Sequence, residues 1–174
     1  MSDVNSQSDE SVPIRLDDIY GEIDLRVREA TQAAGGWPCQ KGCDGCCRRL
    51  ANSPEVTRAE WGRMREGLLG LPDGVRAGVG VRIQALSSPD RGFITCPFLD
   101  DDTGGCLIYA YRPAACRMYG FYVSRQGNQW CQIIQGLDDA GELDGILLGN
   151  YDATRNAFSR HFGEVKSITE WYGT

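Results

Sequence analysis

The segment that most constrains the fold is CQKGCDGCC, residues 39–47, which places four cysteines within nine positions. A single cysteine is often a small buried apolar residue, but that role does not account for four so close together. A disulfide between the adjacent Cys46 and Cys47 would close a strained ring. The fold therefore has to bring these thiols to a site where they have a chemical role.

The chain contains eight cysteines and one histidine in 174 residues. Its first residues, MSDVNSQSDESVP, are polar and acidic and do not resemble a signal peptide, so we expect a cytoplasmic protein. In that reducing compartment, clustered cysteines indicate metal binding or catalysis rather than disulfides. A ligand set made almost wholly of sulfur favours zinc, iron–sulfur clusters or Cu(I) over harder ions.

Charge and length exclude several classes of protein. Lys and Arg number 18 against 24 Asp and Glu, a formal net charge of −6, which argues against a nucleic acid or a membrane surface as the main partner. No apolar run approaches the roughly 18 residues of a transmembrane helix. We expect a disordered lead over residues 1–13 and a single small domain over residues 14–174.

Most of the predicted secondary structure is helical. Ile19, Ile23 and Val27 repeat at four-residue spacing, which predicts a first helix. Thr57 and Glu60 form a capping-box pattern that opens a second helix. Three more helices are predicted: one after Pro72, a short one after Arg112-Pro113 that carries Cys116, and one around residues 150–162.

A β-hairpin completes the predicted fold. The stretches YGFYV and QWCQII are separated by SRQGN, in which Gly127 supplies the backbone freedom of a turn. CLIYA, residues 106–110, is a further short strand candidate. We therefore predict a mainly helical α+β domain with a short β-hairpin and a cysteine-rich metal-binding centre.

The first cysteines have the spacing of a chelating loop. Cys39-x3-Cys43-x2-Cys46 lets the backbone curl around one ion, with glycines between the ligands. Cys47 points away from Cys46, so it faces a second ion, bridges two ions or is unused. The other candidate ligands are dispersed along the chain: Cys96, Cys106, Cys116 and Cys131. Structural zinc sites usually show paired CxxC knuckles, and the single CxxC here favours iron.

Five cations lie within a few residues of a cysteine in this acidic chain: Lys41, Arg48, Arg49, Arg112 and Arg117. Four thiolates on one Zn²⁺ leave a charge of −2 that a buried site has to offset. Arg112 and Arg117 flank Cys116 on a short helix of otherwise apolar residues. We therefore expect these two arginines to contact the metal centre.

Together these motifs resemble a known family. CQKGCDGCC fits CxxxCxxCC, and CPFLDDDTGGCLIYAYRPAACRMYGF fits Cys-Pro-Phe-Leu, Cys-x-Ile-Tyr and Arg-Pro-x-x-Cys-Arg in that order. Over residues 39–131 the chain is similar to the YkgJ-type cysteine-cluster family of zinc- or iron-chelating domains. The resemblance implies metal binding through these cysteines, as an iron–sulfur cluster, iron or zinc, and members are often labelled iron–sulfur proteins.

Other functions stay open. A redox or group-transfer enzyme would need a substrate pocket, for which the aromatic residues near the arginines are candidates. The loop also has radical-SAM spacing, but a helix precedes it and strand–helix alternation is missing. A metal-delivery or thiol-redox module would leave Cys47 or Cys131 free. We expect His161 to have a surface or capping role, and the sequence indicates neither a substrate nor a protein partner.

Overall fold

The computed structural model describes residues 13–86, 92–128 and 130–174. Seven α-helices in these ranges supply most of the regular structure: α1 Leu16–Ala33, α2 Arg58–Leu69, α3 Asp73–Ala85, α4 Ala114–Met118, α5 Gln132–Asp139, α6 Tyr151–His161 and α7 Ile168–Tyr172. A 3-10 helix spans Tyr109–Tyr111. None of the described helices is long and apolar enough to cross a membrane.

Four very short strands form two separate sheets within the described residues. Strand β1, Glu55–Thr57, pairs antiparallel with β4, Val165–Ser167. Strand β2, Tyr122–Val123, pairs parallel with β3, Gly149–Asn150. The predicted α+β class is thus confirmed. The short antiparallel pair is formed by β1 and β4, which are far apart in the sequence.

The predicted hairpin after Tyr119 is wrong. Its first arm contributes β2, whose partner is β3, while the last three residues of its second arm begin helix α5. Ile134 of α5 is fully buried and Leu137 packs against the same core, so the segment buries one helical face. CLIYA is no regular strand either, because Cys106 makes only an isolated bridge to Leu99 before the 3-10 helix.

The helix predictions hold at most positions. Helix α1 contains the predicted stripe, Thr57 caps α2 in a complete capping box, and Pro72 is the N-cap of α3. The short helix carrying Cys116 is α4, and the helix around 150–162 is α6. The predicted disordered lead, apart from its last residue, lies outside the described residues.

Buried apolar side chains form two clusters. The first core joins α1, α4, α5 and α6 through Ile19, Ile23, Met118, Ile134 and Phe158, among others. The second core joins β1, α2, α3 and α7 through Val56, Met64, Val79, Ile83 and Ile168, among others. The cysteines lie on both cores: Cys39 and Cys131 pack against the first, and Cys96 and Cys106 against the second.

Glu60 is a buried link between the two cores. One carboxylate oxygen accepts hydrogen bonds from the backbone N–H and hydroxyl of Thr57, at 2.9 and 3.0 Å. The other accepts from the backbone N–H of Ala114 at 2.8 Å, at the start of α4. The capping box of α2 thereby also fixes the helix that carries Cys116. On the surface, Arg63 adds a second link by donating to Asp17 at 2.7 Å.

We predict that Glu60→Ala lowers the free energy of unfolding by about 3 kcal/mol, because it removes a helix cap and leaves a buried N–H unpaired. Urea unfolding of the two proteins, both in the same metal-loaded state, measures the difference. The matched control is Glu170→Ala, which removes the exposed capping box of Ser167 in α7. Equal effects of the two substitutions would contradict the linking role of Glu60.

Candidate metal centre

The CQKGCDGCC segment is a series of turns rather than a helix or strand. The backbone N–H of Cys43 donates to the carbonyl of Gln40 at 3.0 Å, and Gly42 adopts a positive φ of 95°. Arg48 anchors the loop by donating to Asp44 at 2.6 Å and to Asp101 at 3.0 Å. The loop is thereby held against the acidic turn that precedes Cys106.

Backbone pairing brings the next cysteines to this loop. Leu50 and Ile94 exchange two hydrogen bonds as an isolated antiparallel bridge. One step along, the N–H of Cys96 donates to the carbonyl of Cys47 at 2.6 Å. The bridge between Leu99 and Cys106 then folds the chain back. Cys47, Cys96 and Cys106 consequently lie together although they are far apart in the sequence.

Helices position the other thiols. Cys116 lies on α4, which packs against α1. Cys131 is the N-cap residue of α5. Cys39 follows Trp37, whose buried ring stacks on Phe121 at 5.0 Å between centroids.

All eight thiols line two adjoining cavities. The inner cavity, of about 70 Å³, is lined by Cys43, Cys46, Cys47, Cys96, Cys106 and Cys116. The outer cavity, of about 90 Å³, is lined by Cys39, Cys43, Cys46, Cys116 and Cys131. Each cavity has several times the volume that one water molecule needs, about 15 Å³. All eight cysteines are free thiols.

Cys116 is exposed to water although other residues of α4 are buried. Its neighbours Ala114 and Met118 are buried, and burial strongly raises the pKa of its thiol. Even so, water can reach a large part of the Cys116 surface. The two facts agree because Cys116 faces both cavities from within the fold.

The sulfur atoms are not arranged around a common point, as the ligands of a metal ion would be. Among the described residues, no group of three or more His, Cys, Asp or Glu side chains is arranged to hold a metal ion as it stands. Cys46 Sγ and Cys47 Sγ lie 4.0 Å apart. Rotation about χ1 moves a cysteine sulfur while its backbone stays fixed, so changes of rotamer bring the thiols closer to a common ion.

Burial and neighbouring sulfur atoms favour the protonated form of several of the thiols, as a raised pKa. Burial, followed by the nearby Cys131, Cys43 and Cys46, raises the pKa of Cys39 to about 12. The hydrogen bond with Cys47 and then burial raise the pKa of Cys46. A thiolate is the form that binds metal, so metal binding at this site displaces protons from several cysteines.

The five candidate cations have different environments. Arg48 is paired with carboxylates, Arg49 lies over the Phe93 ring at 4.7 Å, and Lys41 lies 5.9 Å from the Tyr109 ring centroid. Of the five, only Arg112 lines both cavities. Its guanidinium stacks on Tyr109 at 3.5 Å, and its charge lowers the pKa of Cys106 and Cys116 against the effect of burial.

Arg117 lines the outer cavity but is largely engaged by the protein. Its guanidinium binds both oxygens of Asp24 in α1, at 2.8 and 3.1 Å. It also donates to the carbonyls of Arg112 and Ala110, at 2.9 and 2.8 Å. These bonds attach the Cys116 segment to α1, so Arg117 positions a thiol while Arg112 faces the cavities.

The surroundings of the thiols fit a sulfur-bound metal or cluster. The indole N–H groups of Trp37 and Trp130 are buried without a hydrogen-bond partner in the described chain, and both tryptophans pack on the core that holds Cys39 and Cys131. The Trp37 side chain lowers the pKa of Cys39 against the larger effect of burial. Buried donors beside sulfur match the polar environment that anionic thiolates require.

Two site residues were missed by sequence reasoning. Gln40 lines both cavities, and Gly120 approaches Cys39 so closely that a Cβ there would lie 2.7 Å from its sulfur. The spacing of the cysteine motif does not mark Gln40 as a site residue. Tyr109, one of the aromatic pocket candidates near the arginines, also lines both cavities. The prediction that His161 has a surface role agrees with its exposed position in the last turn of α6.

Comparison with known proteins gives one match. No curated protein and no solved structure matches the chain. The CxxCxxCC family model, described as a "putative zinc- or iron-chelating domain", matches residues 38–134, more than half of the 174 residues. The matched region contains all eight cysteines that line the two cavities, and the chain belongs to the CxxCxxCC family of zinc- or iron-chelating domains.

Proposed function

We propose that this protein holds iron through its eight cysteines, as thiolate-ligated iron–sulfur centres, in a reducing compartment such as the cytoplasm. The observation that carries the proposal is that all eight thiols line two adjoining internal cavities between the two cores. The ligand set is all sulfur, which suits iron–sulfur clusters and zinc and excludes hard cations.

Two features favour iron–sulfur centres over zinc. Structural zinc sites usually combine paired CxxC knuckles, and this chain has only Cys43-x2-Cys46. The cavities, of about 70 and 90 Å³, offer room for a group of several atoms rather than one ion. When bound, such a centre supplies one-electron redox chemistry. The chain contributes the thiolates and the positive charge of Arg112.

A second candidate function is a redox or group-transfer enzyme with an anionic substrate. Arg112 borders both cavities, and within the described chain only its Nε donates a hydrogen bond, to the carbonyl of Tyr109 at 3.0 Å. Its Nη groups are therefore available to an anion beside the metal. An enzyme would also require an open coordination position at the centre.

The identity of the metal is tested by anaerobic purification. We expect a brown protein with broad absorption near roughly 400 nm, and with iron and acid-labile sulfide in each chain, because eight thiolates suit iron–sulfur centres. Elemental analysis and sulfide determination give the amounts. A colourless protein with stoichiometric zinc would contradict the choice of iron while retaining the thiolate site. Protein without any bound metal would contradict the proposed function itself.

Gly120 provides a structural test of Cys39 as a ligand. At φ +80°, Gly120→Ala places a methyl group 2.7 Å from the Cys39 sulfur, so we expect a loss of metal from the outer cavity. Gly145→Ala is the matched control: its φ is +77° with open space around the new Cβ, so it carries the same backbone cost of about 1–2 kcal/mol. Metal content of both variants is measured after identical loading. Equal metal content would contradict the placement of Cys39 at the site.

The enzyme alternative is tested with azide, a small anion that binds open metal positions. We expect azide to change the absorption of the loaded protein, and Arg112→Gln to weaken its affinity at least about tenfold, through loss of a charge-assisted hydrogen bond. The control is Arg49→Gln. It also removes one positive charge, but Arg49 lies over the Phe93 ring and lines neither cavity. An absorption spectrum that azide leaves unchanged would contradict an open, anion-binding centre.

A further inference from the structure

We infer that the eight cysteines form two separate four-sulfur metal centres rather than one. The outer centre consists of Cys39, Cys43, Cys46 and Cys131, and the inner centre consists of Cys47, Cys96, Cys106 and Cys116. The inference rests on the proposed function, because it assigns the ligands of the same metal site. Each centre takes an iron–sulfur cluster or one tetrahedral thiophilic ion.

The distribution of thiols over the cavities supports two centres of four. Cys47, Cys96 and Cys106 line only the inner cavity, so it needs one more ligand for a set of four. Cys39 and Cys131 line only the outer cavity, which needs two more. The three thiols that line both cavities are Cys43, Cys46 and Cys116. Their number equals the number of ligands still required.

The chelating loop divides the shared thiols. Cys43 and Cys46 belong with Cys39, because Cys39-x3-Cys43-x2-Cys46 has the spacing to curl around one ion and Cys39 lines only the outer cavity. These two thiols complete the outer set. Cys116, the remaining shared thiol, completes the inner set.

The two hydrophobic cores divide the thiols in the same way. Cys39 and Cys131, which line only the outer cavity, pack against the first core. Cys96 and Cys106, which line only the inner cavity, pack against the second core. Two thiols of each centre thus pack against the same core, while Cys116 reaches the inner cavity from α4 of the first core.

The adjacent pair Cys46-Cys47 joins the two centres. Cys46 ends the Cys39-x3-Cys43-x2-Cys46 loop of the outer set, while Cys47 lines only the inner cavity. Their sulfur atoms are 4.0 Å apart. The two centres therefore meet at this pair of residues, and their ligand sets stay separate.

The test uses Co²⁺ as the probe, since thiolate-bound cobalt absorbs strongly and prefers the same tetrahedral sites. Metal-free protein is titrated with CoCl₂ without oxygen. Two double variants remove ligands that line one cavity only: Cys39→Ser with Cys131→Ser for the outer centre, and Cys96→Ser with Cys106→Ser for the inner centre. Circular dichroism identifies a variant that fails to fold.

We expect two equivalents of Co²⁺ in the unmodified protein and one in each double variant, with the thiolate absorption about halved. If a variant fails to fold, X-ray absorption of the fully loaded unmodified protein replaces it, and a first shell of four sulfurs on each of two cobalt ions is the expected result.

Loss of both equivalents from a folded double variant, or a single equivalent in the unmodified protein, would overturn the two-centre assignment while leaving the proposed function intact. An unmodified protein that binds neither cobalt nor iron nor zinc would overturn both.

Discussion

The convergence of eight thiols between two hydrophobic cores is the constraint on which the rest of the structure depends. Each core is small, and the cysteines that pack on each of them line one of two adjoining cavities. Burial raises the pKa of Cys39, Cys106 and Cys116, so these thiols keep their protons until a metal binds. A thiolate-bound metal replaces those protons and crosslinks segments that are distant in sequence, which converts binding free energy into folding free energy.

Hydrogen bonds around the site hold together the segments that carry the cysteines. Glu60 ties the start of α2 to the start of α4, and Arg117 ties the end of α4 to Asp24 of α1. Arg48 holds the CQKGCDGCC loop against the turn at Asp101. None of these groups needs to contact a metal. Each of them fixes a backbone segment that carries a cysteine, so the backbone positions of the ligands are set before any metal binds.

Sequence reasoning predicted the parts of this arrangement that are local. The cysteine spacing, the capping box at Thr57 and the short helix after Pro113 are all encoded within a few residues. The bridge between Leu50 and Ile94, which aligns Cys47 with Cys96, joins segments more than forty residues apart and leaves no local pattern. The hairpin prediction failed for a related reason: a short apolar run suits a strand or a helix equally, and packing of Ile134 against the first core decided for α5.

The measurement that tests the central claim most directly is X-ray absorption at the K-edge of the native metal in anaerobically purified protein. A first coordination shell of sulfur alone, with metal–sulfur distances of about 2.3 Å, is the result expected for a centre held by cysteine thiolates. A shell with nitrogen or oxygen ligands in place of cysteine sulfur would contradict an all-cysteine centre between the two cores.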